Sequence, residues 1–445
     1  MQLSHDIVPR VLPFQHHVMR NYGKNSFTWI GPYPVINLMD PDMIKEILNR
    51  VYDFPKPKLI SQTEALVSGL VRHEGQKWTK HRSLLDPAYR FDKLKLMLPA
   101  FEESCNEMIR EWEVVISEKG SMEVDIWTYC HDLFSDMIAR AAFGNGYQEG
   151  KKIFILQQEQ VELSLLAMKS LYIPGSRYLP TKFNRRLKQT EKEMSAMLKD
   201  IIEKREKEMK RGETFDDLLG FYMTLNSKEI EENGKTAGLT VPELIDECKA
   251  FYLAGENASS VLVTWTMVLL SMHQDWQTKA REEVLQVFGN KKPDFDGLSR
   301  LKIVTMILHE VSRLYPPAVE TYRMIYQETR LGKWKLPGGV MIRLPITMVQ
   351  HDQDLWGDDV NEFKPERFSS GVAEATKGQV SYFPFSWGPR TCIGKNFGML
   401  QAKFSLSIIL QRFWFELSPS YSHAPYPSVT LQPQSGAHIV LHKRV

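Results

Sequence analysis

Phe385-Ser386-Trp387-Gly388-Pro389-Arg390-Thr391-Cys392-Ile393-Gly394 is the stretch whose reading decides the fold of this chain. An aromatic-rich approach ends in a cysteine flanked by glycines and an arginine. Glycine at 388 and 394 removes side chains and lets backbone approach something flat and bulky. Backbone N–H groups near the sulfur would stabilise a thiolate. So would the N-terminal dipole of a helix expected to run from Gly394 through Phe397, Leu400 and Phe404. Arg390 is a candidate partner for an anionic group. Composition alone favours a buried structural cysteine beside a glycine turn; the full spacing Phe-x-x-Gly-x-Arg-x-Cys-x-Gly is far more specific.

The bulk of the chain suits a large core. It has 445 residues, 43% of them hydrophobic, enough to enclose a cofactor. Its 56 basic and 54 acidic residues argue against nucleic-acid binding through a global basic field. There are 4 cysteines, Cys105, Cys130, Cys248 and Cys392, with no Cys-x-x-Cys pair. That density excludes a disulfide framework, and the spacing excludes a four-cysteine zinc site. Cys105, Cys130 and Cys248 read as small buried apolar residues. Gln2 to Arg10 is polar and basic with no apolar run, so neither a signal peptide nor a membrane anchor is expected there. Phe251 to Met272 is long enough to span a bilayer, but Glu256, Asn257, Ser259 and Ser260 interrupt it, and it reads as a helix crossing a protein core.

Extended segments fall in three places: Phe27 to Leu38 with a Gly31-Pro32 turn, Thr321 to Val349 with a turn at Gly338-Gly339, and Phe413 to His442 split by prolines. Most of the remainder is helical in pattern. Asp92 opens one helix. Thr240 caps another at Val241-Pro242-Glu243, which could continue to Met272, some 30 residues or about 45 Å. Lys199 to Glu213 reads as a solvated helix with i,i+4 ion pairs rather than a partner surface. Ser227 to Gly238 reads as a mobile surface loop. Length alone suggests about three domains. With no long linker and no internal repeat, the expectation is instead a single domain over 1–445, mainly α with small β-sheets.

Other motifs precede the cysteine stretch. His309-Glu310-Val311-Ser312-Arg313 begins like a zinc-protease motif, but position 313 is arginine, so that reading fails. Glu310 and Arg313 are neighbours on one helix face. Leu314-Tyr315-Pro316-Pro317 follows them, and Pro365-Glu366-Arg367-Phe368 lies further on. Upstream is Trp78-Thr79-Lys80-His81-Arg82. In this order the motifs resemble those of the cytochrome P-450 family of haem-thiolate monooxygenases, over nearly the whole chain. The wording is most similar to a plant microsomal group that includes secologanin synthase and triterpenoid and gibberellin oxidases. Ser4 to Arg10, Tyr22 to Phe27, His73-Glu74-Gly75 with Lys77-Trp78, and Trp265 to Leu270 carry that likeness.

The resemblance implies a helical fold enclosing haem b (iron protoporphyrin IX), with the Cys392 thiolate as ligand to iron. It implies haem contacts from Trp78, Arg82, Arg323, Phe385, Gly388, Arg390 and Gly394, the arginines answering the propionates. Glu310, Arg313 and Arg367 correspond to the family's Glu/Arg/Arg cluster, which holds the cysteine loop rather than doing chemistry. Also implied are O2, electrons from NADPH through a reductase, and a small-molecule substrate. Lys80 and Lys395 are candidates to meet the reductase's acidic surface. Family members carry an N-terminal anchor and sit in the endoplasmic reticulum membrane, on its cytosolic face. This chain starts after the corresponding point.

One segment departs from the family. Its long helix ordinarily reads Ala-Gly-x-Asp/Glu-Thr-Thr/Ser, whose acid and threonine resemble a proton-delivery pair. Here the run is Ala254-Gly255-Glu256-Asn257-Ala258-Ser259. Asn257 does not ionise and Ala258 has no hydroxyl. Three explanations compete: Glu256 and Ser259 stand in from adjacent positions, a polar substrate supplies the hydroxyl, or the chemistry is an atypical C–C cleavage or rearrangement of an iridoid-type substrate. A one-residue shift turns a side chain by about 100°, which weighs against the first. A degenerate haem-binding protein is the rival from another class. Pocket segments implied by the resemblance are Leu59 to Leu70, Phe251 to Ser259, Val319 to Tyr322 and Gln434 to Ala437. Val319, Glu320, Thr321 and Ser435 are the candidate contacts. Glu320 is unusual in an apolar pocket and would either recognise a polyol or sugar, or point to solvent.

Overall fold

The structure is a computed structural model that describes residues 4–58, 68–144, 147–169 and 175–443. It is mainly helical with small sheets, as expected. Of the expected pocket segments, 59–67 lies outside the described residues. The chain divides into two compact units, each assembled from separated stretches. The first holds 1–57, 105–133 and 257–445; the second holds 58–104 and 134–256.

In the first unit a 4-stranded sheet runs in the order Ser26–Ile30, Tyr33–Asn37, Met341–Leu344, Thr321–Met324. The first two strands form the expected hairpin, with Trp29 opposite Pro34. Ile36 then pairs in parallel with Ile342, and Arg323 lies opposite Ile342 from the other side. Between Met324 and Met341 the chain inserts a second hairpin, Thr329–Leu331 with Trp334–Leu336, so the expected single turn at Gly338-Gly339 is incomplete. A 3-stranded sheet joins Ser121–Asp125, His438–Lys443 and Phe413–Leu417. The helix Lys395–Arg412 packs on Gln274–Phe288 and Ile303–Leu314. Trp265 is fully buried, stacks on Tyr315 at 4.5 Å, and donates its indole N–H to Leu431 O.

The second unit is built from helices. Tyr147–Lys169 packs along Lys182–Lys210, and Gly75–Leu85 packs against Leu218–Asn233. Lys182–Lys210 is the mixed-charge helix. It is not wholly solvated, because Arg205 is buried, grips both carboxylate oxygens of Asp217 (2.8 and 2.6 Å), and donates to Phe143 O. The stretch from Ser227 is not a loop until Asn233: it is the solvent-side end of Leu218–Asn233, whose buried half is Leu218 to Met223. The Asn226 side chain, on that helix, exchanges hydrogen bonds with the backbone of Leu239 and braces the true loop. Near Asp92 the helix is a single turn, Phe91–Leu94, with Arg90 rather than Asp92 at its N-cap.

The long helix spans Val241–Met272, 32 residues, and belongs to both units in succession. Thr240 and Glu243 form a capping box: Glu243 Oε2 accepts from the Thr240 N–H, and Thr240 Oγ1 accepts from the Glu243 N–H. By length and composition it is the one described helix able to cross a membrane, yet 72% of its most apolar window is buried in protein.

Candidate active site

Cys392 sits where the sequence places it, just before the helix Lys395–Arg412, with Gly394 at the N-cap. Its own N–H donates to Phe385 O at 2.8 Å, closing the loop. Cys392 is exposed, whereas Cys105, Cys130 and Cys248 are buried and their thiols are pushed up to about 12 by burial. The N-terminal dipole of the helix that follows favours negative charge beside the Cys392 sulfur. Ser386 takes a positive φ of 63°, an uncommon conformation for a residue with a side chain, inside this same turn.

The two glycines serve different ends. Gly388 has φ +68°, and a Cβ there would lie 2.7 Å from Asn49 Oδ1 and 2.8 Å from Leu48 O. Its missing side chain therefore admits the end of the helix Pro41–Asn49, not a ring as the sequence suggested. Gly394 is the open one: a Cβ there would meet only the Cys392 sulfur, at 3.9 Å. The side of the loop bearing sulfur thus has room for a flat group.

Behind the loop stands the charge network. Glu310 and Arg313 are completely buried and pair in a bidentate fork, both contacts 2.8 Å. Arg313 also donates to Gln350 O, Val360 O and Glu362 O. Arg367 lies 3.7 Å from Glu310 and pairs more closely with Asp359, at 3.0 Å. Gln350 passes the constraint on. Its amide nitrogen donates to Ser312 O and Arg313 O, and its oxygen accepts from the Phe383 N–H, two residues before Phe385. Sequence reasoning found Glu310, Arg313 and Arg367 but missed Gln350 and Asp359, which carry no motif.

The remaining expected contacts are distributed as follows. Arg323 is buried on the sheet edge strand and donates to Thr321 Oγ1 and Tyr322 O. Arg390 is half-buried in the loop. Glu320 accepts from the Tyr322 hydroxyl and lies 3.3 Å from Arg343 Nε, so its charge is already answered. Burial, and then Glu320, push the Tyr322 phenol up, which keeps it a donor. Val319 O accepts from the Thr347 N–H at 3.0 Å, and Ser435 is exposed in the turn before His438–Lys443. In the second unit Trp78 is buried, and Arg82 pairs with Asp86 at 3.0 Å. Lys80 donates to Thr236 O and Gly238 O, which ties its ammonium to a loop.

On the long helix the departing segment separates into two faces. Ala254 is exposed and Asn257 and Ala258 are partly so, although Glu256, Ser259 and Ser260 beside them are buried. At i, i+3 and i+4 they form one open stripe. Glu256 and Ser259 face elsewhere and are buried, at 1% and 3% exposure. The Ser259 hydroxyl donates to Gln401 Oε1 at 2.9 Å, on the helix that follows Cys392. Ser259 is thereby committed to packing, which counts against its standing in for the absent threonine.

Comparison with known proteins points to one family. A family model described as Cytochrome P450 matches residues 10–440. Cytochrome P450 72C1 of Arabidopsis thaliana is 57% identical over 446 residues, spanning 100% of this chain and 86% of that protein. An 11-oxo-beta-amyrin 30-oxidase of Glycyrrhiza uralensis is 50% identical, spanning 98% and 84%. A retinoic acid-bound cyanobacterial structure, CYP120A1, superposes with a TM-score of 0.83 over 99% of this chain and 96% of its own, at 21% identity, a likeness of fold.

Proposed function

The chain belongs to the cytochrome P450 family, as a monooxygenase similar to its plant 72-type members, and from that premise we propose that it oxidises a hydrophobic or glycosylated small molecule of plant terpenoid or hormone metabolism. O2 is the oxidant in this reading, and electrons come from NADPH through a flavoprotein reductase. The relative that oxidises 11-oxo-beta-amyrin supports a terpenoid substrate class. The single observation that carries the reading is Cys392 in a tight loop at a helix N-terminus, braced by the buried Glu310–Arg313 fork.

The residues present suit a haem. Cys392 supplies the thiolate, Gly394 leaves its side of the loop open, and Arg390 and Arg323 are the arginines of the first unit assigned to propionates. Trp78 and Arg82 are assigned to the same group by the Trp-x-x-x-Arg pattern. Phe385 and Gly388 shape the loop, directly and through the helix Pro41–Asn49 respectively. Haem with a thiolate ligand supplies the oxygen-activating chemistry when bound. The protein's own part is to hold sulfur anionic, to fix the loop through Gln350 and Phe383, and to line the reaction space with Asn257 and Ala258. Asn257 can orient a water or a substrate hydroxyl by hydrogen bonding, but it cannot deliver a proton of its own.

A membrane-attached form on the cytosolic face of the endoplasmic reticulum is part of the same proposal, as is a single domain serving one haem. Asn257 and Ala258 on the open stripe favour one second reading, oxidative C–C cleavage or rearrangement in which the substrate supplies the hydroxyl. They also support the rival of a degenerate haem protein. The test is the absorption spectrum of the dithionite-reduced protein under carbon monoxide, followed by NADPH consumption and product analysis with reductase. A strongly red-shifted Soret band with product formation is expected. An unshifted band refutes the Cys392 ligand, and a shifted band with no turnover on any terpenoid refutes the oxidase.

A further inference from the structure

His73, His81 and Glu247 converge from three pieces of the second unit: the segment after the short helix Gly69–Arg72, the helix Gly75–Leu85, and the long helix. One ligand atom from each lies within 4.8 Å of the other two. The His81 ring is completely buried, and carboxylates flank both of its nitrogens. Nδ1 contacts Glu247 Oε1 at 2.5 Å, and Nε2 lies 3.6 Å from Glu243 Oε1, beyond hydrogen-bond distance. Nε2 has no hydrogen-bond partner among the described residues. The His73 ring stands edge-on to His81 with centroids 4.3 Å apart.

We propose that His73, His81 and Glu247 form a binding site for one zinc-type divalent transition-metal ion. Two imidazoles and a carboxylate are a donor set suited to zinc, with bonds of about 2.0–2.2 Å and a fourth position left to water. Two ligands on one tetrahedral ion stand roughly 3.3 Å apart by that geometry. The His81–Glu247 contact must therefore open as the ion takes the place of the proton between them, releasing that proton. With Nδ1 on the metal, the His81 Nε2–H turns to Glu243, giving a carboxylate–histidine–metal relay. Glu243 is ready for it. The Thr240 N–H donates to its Oε2 at 3.0 Å and Lys77 Nζ lies 3.1 Å from its Oε1, which holds the carboxylate in place. The second oxygen of Glu247 stays fixed by the Leu70 N–H at 3.0 Å. A Cβ on Gly69 would come within 2.6 Å of that oxygen, so the backbone there is already closed around the carboxylate. An ion bound here would tie the Gly69–His73 segment to both helices.

The test uses haem-loaded protein stripped with chelator, dialysed against graded zinc, with zinc counted per haem by mass spectrometry. One zinc per chain is expected, at least about tenfold weaker in H73A and H81A and unchanged in H17A, an exposed histidine. H81A removes a buried ring and can misfold, so H73A, whose ring is partly exposed, decides the matter once its carbon monoxide spectrum shows an intact thiolate–haem bond. Substoichiometric zinc in the wild type, or equal zinc in H73A, overturns the site. That spectrum reports on Cys392 independently, so failure here leaves the oxidase reading untouched.

Discussion

Glu310→Gln tests whether the buried fork is what holds the cysteine loop. The Glu310 carboxylate accepts from Arg313 Nε and Nη2 at 2.8 Å each and from the Lys364 N–H at 3.0 Å. Glutamine has nearly the same shape but offers one oxygen and an N–H2. At least one donor then meets another donor, and the Arg313 guanidinium is left buried with no countercharge in contact except through backbone carbonyls. Breaking one side of a buried pair costs about 3–5 kcal/mol. At ~2.1 cal/mol/K per residue, 445 residues melting as one unit carry an unfolding entropy of roughly 0.9 kcal/mol/K, so the melting temperature should fall by about 3–5 °C. Because Gln350 relays the fork to Phe383, haem retention should fall as well. Differential scanning fluorimetry and the haem-to-protein ratio measure the two effects. Arg367→Ala is the internal comparison: Arg367 is less deeply buried and its nearer partner is Asp359, so its loss should cost less. A Glu310→Gln protein that melts within about 1 °C of wild type and keeps its full haem would refute the argument.

Three further outcomes follow from the same structure. Asn257→Glu with Ala258→Thr places an acid and a hydroxyl on the open stripe, and should raise product formed per NADPH; unchanged coupling would mean that protons arrive by another path. Lys395→Glu reverses an exposed charge at the start of the helix after Cys392, and should raise the apparent KM for reductase several-fold at low salt, with no change refuting that contact. Burial holds His5 at about 3 and His423 at about 4, against 6.5 when unfolded. Folded, both stay neutral while the unfolded chain takes up protons, so this stability is complete above pH 6.5 and is lost as pH falls toward 4, by about 2 kcal/mol per histidine at pH 5. Both rings bond the Tyr315 hydroxyl, and H5N with H423N should flatten the fall in melting temperature between pH 7 and 5; parallel curves for variant and wild type would refute it.

What was legible in the sequence was whatever a short stretch decides by itself. The cysteine loop, the Glu310/Arg313 pair and the Thr240 cap each depend on spacings of a few residues, and each stands where its spacing placed it. The helix Leu218–Asn233 was not legible from Ser227 onward, because its polar second half is held by the buried first half and by Asn226 bonding across to Leu239. Partners distant in sequence were invisible for the same reason. Nothing near Glu320 announces that Arg343 will answer its charge, yet that pairing weakens the case for Glu320 as a sugar-binding group. Gly388 stands out in the sequence, but the close approach it admits comes from Leu48 and Asn49, more than 300 positions away.

The long helix shows best how burial adds to spacing. Its sequence marks Glu256, Asn257, Ala258 and Ser259 as one suspicious block, but a helix cannot present four consecutive side chains to one space. The structure turns Asn257 and Ala258 to the open stripe and buries Glu256 and Ser259. The two groups able to carry a proton are thereby removed from the face, and the two unable to carry one are left on it. Simple substitution within the protein is the weakest of the three explanations on that ground. A hydroxyl brought by the substrate, positioned by Asn257, requires nothing that the helix does not already present.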